Sequence, residues 1–250
     1  MRCVGLTVLL LLSSVSGQAY AADAPDAGSP LEGKIRTQLM AKQSVTLSSE
    51  LSATISKLPV EEGGSFQRGQ VLVEFQCDGY RAQLRKAEAT LEAAQQLLKV
   101  NTRLAQLNSI GELEVSQAEG KSKEAEADLK IMQTVVNKCV IEAPFSGRVA
   151  KRTASTYQYL SPGNPIVDLL DTSQLELRMI VPSNWLAWIK PGETFSVQVG
   201  ELNRSYSAHV TRTGAQIDPV SQSVLVFGII ESHDDALLPG MSGWASFKPR

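Results

Sequence analysis

The chain has 250 residues, 43% of them hydrophobic, enough to bury one large core or two smaller ones. Its 24 basic and 26 acidic residues nearly cancel, which excludes the basic footprint of a nucleic-acid binder. Aromatic residues reach only 6%, low for a surface that stacks on bases or sugars.

At the start, Arg2 is followed by the apolar run VGLTVLLLLSSV and then by Ala19-Tyr20-Ala21. A charged beginning, a short apolar stretch and an A-x-A site predict a secretory signal peptide over residues 1–21, cut after Ala21. The run is shorter than the about 20 residues a spanning helix needs, and no later stretch is longer, so an exported chain is expected. Retention of the segment as an anchor is the alternative. Cys3 lies at the beginning of that stretch, whereas lipoprotein-type cleavage needs a cysteine at its end. Residues 22–42 are polar with Pro and Gly, and read as a lead-in, with the folded part beginning near Lys42.

An internal repeat follows. A shift of 94 residues aligns LSATISKLPVEEGGSFQRGQVLVEF with FSGRVAKRTASTYQYLSPGNPIVDLL without a gap. Ser52, Lys57, Gly69 and Val73 fall on Ser146, Lys151, Gly163 and Val167. Leu47, Leu51, Ile55, Phe66 and Leu72 fall on Ile141, Phe145, Val149, Leu160 and Ile166, so the apolar register is kept while polar positions drift. Each copy reads as short strands broken at Gly63-Gly64, Gly69, Gly147 and Pro162-Gly163.

Between the copies the period lengthens. Leu84, Ala87, Leu91, Ala94, Leu98 and Ala105 follow heptad steps, and so do Val115, Ala118, Ala125, Leu129, Met132 and Val136. Asn108-Ser109-Ile110-Gly111 is the only break, with the glycine where a helix would end. The spacing predicts an antiparallel coiled-coil hairpin over residues 79–138 with arms of roughly 40 Å. The two seams are expected to cover each other and leave nothing apolar for a third partner. From Ser173 onward LELRMIV, TFSVQV, SYSAHVTRT, SVLVFGII and GWASF read as strands of a small closed barrel. SNWLAWIK reads as a short helix capped by Ser183 and stopped by Pro191-Gly192.

This order resembles the periplasmic adaptor, or membrane fusion, family of resistance-nodulation-division and haemolysin-type (HlyD-like) export systems. The residues that carry the resemblance are GGSFQRGQVLVEF, IEAPFSGRVAKR, SPGNPIVDLLDTSQLELRMIVP and LLPGMSGWASF. It implies a mostly β chain with a long α-helical hairpin. Residues 43–78 and 139–172 would form a lipoyl-like barrel-sandwich hybrid, split by the hairpin at 79–138 and followed by a β-barrel at 173–250. The chain ends soon after PGMSGWASF, so the membrane-proximal domain common in the family is expected to be missing. Channel-binding members show Arg, Leu and Ser at fixed spacing around the hairpin turn. Arg103 and Leu107 match, and Glu114 departs from the pattern.

Enzyme chemistry is not indicated: there is no phosphate loop, nucleophile elbow or catalytic carboxylate pair. A lipoyl or biotinyl carrier needs its lysine at the turn between the halves, where this chain has the hairpin; Lys57 and Lys151 lie inside the halves. No cofactor is expected. His209 and His233 lack ligand neighbours at metal spacing, and Met40, Met132, Met179 and Met241 are too scattered for a soft-metal cluster. Cys77 and Cys139 bracket the hairpin. If the halves pair as in a lipoyl fold they meet at its base, as a disulfide in an oxidising compartment or as two buried thiols side by side.

The resemblance therefore implies a periplasmic adaptor, peripheral to the inner membrane. It would assemble as a homo-oligomeric ring and bridge an inner-membrane transporter to an outer-membrane efflux channel. Arg103, Leu104, Leu107, Ile110 and Leu113 at the hairpin tip would be the first channel contacts. The alternative is an exported envelope scaffold that uses the hairpin to hold other proteins without export.

Overall fold

The computed structural model describes residues 34–232 and 234–248. The expected signal peptide, most of the lead-in, Cys3 and His233 lie outside the described residues. The elements in chain order are β1 Lys34–Ser48, β2 Ala53–Lys57, β3 Ser65–Phe66 and β4 Val71–Phe75, then the helices α1 Asp78–Gln106 and α2 Glu112–Asn137. After them come β5 Val140–Glu142, β6 Gly147–Arg152, β7 Tyr159–Leu160 and β8 Pro165–Pro182, then a 3-10 turn Ser183–Ala187. β9 Thr194–Val199, β10 Arg204–Asp218, β11 Ser223–Ile230 and β12 Ser242–Ser246 complete the fold.

Two cores organise these strands. In the first, β2, β4, β5 and β7 pair in one sheet, while β6 pairs the first half of β8 and β3 pairs β6. The repeat is visible bond by bond. β2 pairs β7 at Ala53↔Leu160 and Thr54↔Tyr159, and 94 residues on β6 pairs β3 at Gly147↔Phe66 and Arg148↔Ser65. Gly69 N–H donates to the Ala143 carbonyl, and Gly163 N–H to the Ser49 carbonyl. Gln67 N–H donates to Gln70 Oε1 at 3.0 Å, and Ser161 N–H to Asn164 Oδ1 at 2.7 Å. The halves are thus related by a local two-fold, each completing the other's sheet. Leu72, Val73, Ile166 and Val167 are 0% exposed, so equivalent apolar positions meet in one core. Each buried side chain of this size contributes about 1.5–3 kcal/mol of transfer free energy.

In the second core, β1, β12, β9, β10, β11 and β8 hydrogen-bond in that order, and β8 pairs back to β1, closing a ring of six strands. Strict alternation drives this: Phe195, Val197 and Val199 point inward while Thr194, Ser196 and Gln198 point out. Trp185 and Trp188 each pack edge to face on Phe247 with centroids 5.8 Å apart, and lie tilted against one another at 5.1 Å.

Two expectations need correcting. The lead-in does not extend to residue 42, because β1 begins by Lys34 and contributes a strand to the ring; residues 173–250 alone would leave it open. In KIRTQLMA the inward positions include Thr37, 1% exposed beside Leu39 at 0%, so the alternation looks polar in the sequence. Lys42 marks only a register shift inside a continuous strand. Ser183 is the first residue of a 3-10 turn rather than its cap, and no side-chain cap bond forms there.

Candidate functional site

The helix pair is the feature that the β-structure does not explain. α1 and α2 are 29 and 26 residues long and are joined by residues 107–111, so each arm spans roughly 40 Å. Among the described residues, the bonds that tie it to the β-structure lie at one end. Tyr80 and Val135 pack on the first core, the Tyr80 hydroxyl donates to the Ser52 carbonyl at 3.3 Å, and Lys138 Nζ sits 2.6 Å from Glu50. Cys77 and Cys139 are disulfide-bonded there, with Cα atoms 6.1 Å apart and exposures of 0% and 2%. Their places flanking the two helices bring the arms together at the base.

Along the arms, Ala94, Ala118 and Ala125 are buried, because small residues let the backbones approach. Leu84, Leu91 and Leu98 on α1, with Leu129, Met132 and Val136 on α2, are half-buried beside them. The seams do not use up the apolar surface, contrary to the expectation from their spacing. Leu97, Val100 and Ile131 stand outside them at 48%, 52% and 56% exposure, because they lie on the flanks of the helices.

At the far end the chain reverses in a way the glycine did not foretell. Asn108 adopts φ +56, its N–H donates to the Ala105 carbonyl, and Ser109 N–H donates to the Leu104 carbonyl. That is the double closure of a Schellman motif with asparagine in the left-handed position. Gly111 instead precedes α2 in an extended conformation. Glu112 and Glu114 occupy the first turn of α2, where acidic side chains favour the positive end of the helix dipole. A Cβ on Gly111 would meet Glu114 Oε2 at 3.0 Å, so Glu114 folds back over the helix start. Leu107 and Leu113 are 61% and 66% exposed, Arg103 is exposed, and Leu104 and Ile110 are half-buried. Asn101 Nδ2 donates to the Glu114 carbonyl at 3.2 Å and ties the arms just below the turn.

Lys57 and His209 are engaged locally. Lys57 Nζ lies 2.9 Å from Glu74, and His209 Nδ1 lies 3.4 Å from Glu231. Among the described residues no three His, Cys, Asp or Glu side chains are grouped to hold a metal. Beside the cleft between the two cores, the Tyr206 hydroxyl donates to Asp234 at 2.8 Å, and Arg204 lies 3.3 Å from the same oxygen. The Ala236 N–H, then the Tyr206 hydroxyl, hold the Asp234 carboxyl below its ordinary range. Burial, reinforced by Asp234, pushes the Tyr206 phenol up. This cluster satisfies itself. Among the described residues no helix is long and apolar enough to cross a membrane.

No family model matches the chain. Multidrug resistance protein MdtA of Escherichia coli strain 55989 is 25% identical over 224 residues, covering 80% of this chain and 54% of that protein. The chain spans between 53% and 58% of the length of the curated relatives it matches first. A MacA–MexA chimera containing the Pseudomonas aeruginosa MexA α-hairpin domain superposes with a TM-score of 0.76 at 17% identity, covering 85% of this chain and 78% of that one. A membrane fusion protein of Streptococcus pneumoniae R6 superposes with a TM-score of 0.73 at 14% identity, covering 87% of this chain and 99% of that one.

Proposed function

Because its relatives by sequence and by fold are membrane fusion, or periplasmic adaptor, proteins, we propose that this chain is the adaptor of a tripartite export pump. It would bridge an inner-membrane transporter and an outer-membrane channel from the periplasm, assembled as a ring of copies. In this reading α1 and α2 are the antiparallel coiled coil, the two-fold pair of halves is the lipoyl-like module, and the closed ring of strands is the small barrel. The first module would need no cofactor, because the helix pair stands where a carrier lysine would be.

The observation that carries the proposal is the placement of Leu107 and Leu113. Both are more than half exposed at the end of the helix pair farthest from the β-structure. Apolar side chains with no partner of their own mark a contact surface, and Arg103, Leu104 and Ile110 lie beside them. The disulfide at the base would set the direction of the arms before a channel arrives.

The test is substitution at the turn. Leu107→Asp combined with Leu113→Asp removes the apolar contact and adds charge at positions where folding does not need them. Export or resistance conferred by the intact system should fall more than tenfold, with the variant still exported and its helical circular dichroism unchanged. Wild-type export by the folded variant would refute docking through the turn and favour the scaffold alternative.

A further inference from the structure

The outer face of the ring where β12, β1 and β8 lie side by side carries cations without counterions. Lys34, Arg36 and Arg178 are exposed there, and among the described residues none of them has a carboxylate partner. Glu176, two residues along β8 from Arg178, is already held by Arg212 in a two-pronged pair. Between the cations stand large apolar groups. Arg36 is directly opposite Trp244, which is 45% exposed, and Arg178 neighbours Ile180, which is 61% exposed.

The face is also concave, for a reason in the pairing. β1 hydrogen-bonds β12 from Lys34 to Gln38 but pairs β8 only from Thr37 onward. Its first residues therefore stand away from Ile180, and an open groove runs between Arg36, Gln38, Arg178 and Ile180. The whole chain carries a net charge of −2, so this cationic strip is a local feature and not the overflow of a basic protein.

We propose that this face docks on the surface of an anionic phospholipid bilayer, with Arg36 and Arg178 on headgroup phosphates and Trp244 and Ile180 at the level of the glycerol. Arginine pairs phosphate oxygens through two parallel N–H bonds. Tryptophan favours the membrane interface, where one part of the ring is wet and the other is not. Lipid fits better than an acidic protein surface because the cations alternate with apolar side chains across neighbouring strands. A polar protein rim would leave Trp244 and Ile180 facing charge. The inference does not depend on docking through the helix turn, since it concerns the other end of the molecule and is tested without any pump component.

The experiment is co-sedimentation of the protein purified from the periplasm with vesicles of phosphatidylcholine alone or with phosphatidylglycerol added. The wild type should prefer the anionic vesicles. Arg36→Gln with Arg178→Gln should weaken that binding about 25-fold, at about fivefold per cation. Trp244→Ala should lower the binding that survives at high salt. Neutralising Arg85 and Lys99 on α1 should leave binding within twofold. Equal binding of the double variant and the wild type overturns the proposal, as does an equal loss in the helix control. Absence of any preference for anionic vesicles also overturns it, and crosslinking of position 36 to an envelope protein would then identify a protein interface.

Discussion

Residues 51–75 and 145–169 fold alike strand for strand, yet the chain leaves them differently. After Phe75 it turns through Cys77 into α1, whereas after Leu169 β8 runs on through Asp171 into the ring as far as Pro182. The repeat dictates a shared backbone, and the exits dictate which residues each copy can hold. Ala53 in the first copy corresponds to Gly147 in the second, where a Cβ would lie 2.0 Å from the Leu170 carbonyl of the continuing strand. Gly63, at φ +77, corresponds to Tyr157, which holds φ +67 at 77% exposure. Cys77 corresponds to Asp171, whose buried carboxylate accepts the Ser173 N–H at 2.9 Å, so a covalent tie in one copy becomes a hydrogen-bonded turn in the other.

The largest test of this difference is at the disulfide. Cys77→Ala with Cys139→Ala frees a loop of 62 residues in the unfolded chain and should cost about 4 kcal/mol in the chain-entropy account. Urea unfolding of the double variant, beside the wild type with and without reductant, measures it. Stability unchanged within about 1 kcal/mol would mean that packing at the helix base, and not the bond, joins the two copies.

Next in size is the exchange between Ala53 and Gly147. Gly147→Ala drives a methyl group into a backbone carbonyl and should destabilise by about 3 kcal/mol, the upper end of ordinary overpacking. Ala53→Gly removes a buried methyl and stiffens nothing, at a cost of about 1 kcal/mol. Thermal unfolding of both variants decides whether the continuing strand sets the difference; equal losses would show that it does not.

The smallest expected effects are at the two turns. A Cβ on Gly63 meets nothing within 4 Å, so Gly63→Ala isolates the conformational cost of a side chain at positive φ, about 1 kcal/mol. Tyr157→Gly should regain a comparable amount or slightly less, because the unfolded chain becomes more flexible. A marked loss on Tyr157→Gly would assign the exposed ring a packing role that the geometry does not show.

Much of this architecture was legible in the residues. The 94-residue shift, carried by four identities and the apolar register, located β2, β3 and β4 on β6, β7 and β8. The spacing of Leu84, Leu91, Leu98, Leu129 and Met132 marked the faces on which α1 and α2 meet. Both are properties of the chain's own period, which burial on one face imposes directly on the choice of residue. What tertiary structure alone decided is of another kind. Lys34–Ala41 became a strand of the ring because β12 and β8 lie on either side of it, and its inward Thr37 conceals the alternation. Asn108 rather than Gly111 ends α1, since a left-handed residue is chosen by where the last carbonyls need donors. Leu97, Val100 and Ile131 remain uncovered because a helix packed against one neighbour covers one stripe, and composition does not say how many neighbours there are. Periodicity is written locally in a sequence, whereas ring closure and the covering of a second stripe depend on segments far apart in the chain meeting in space.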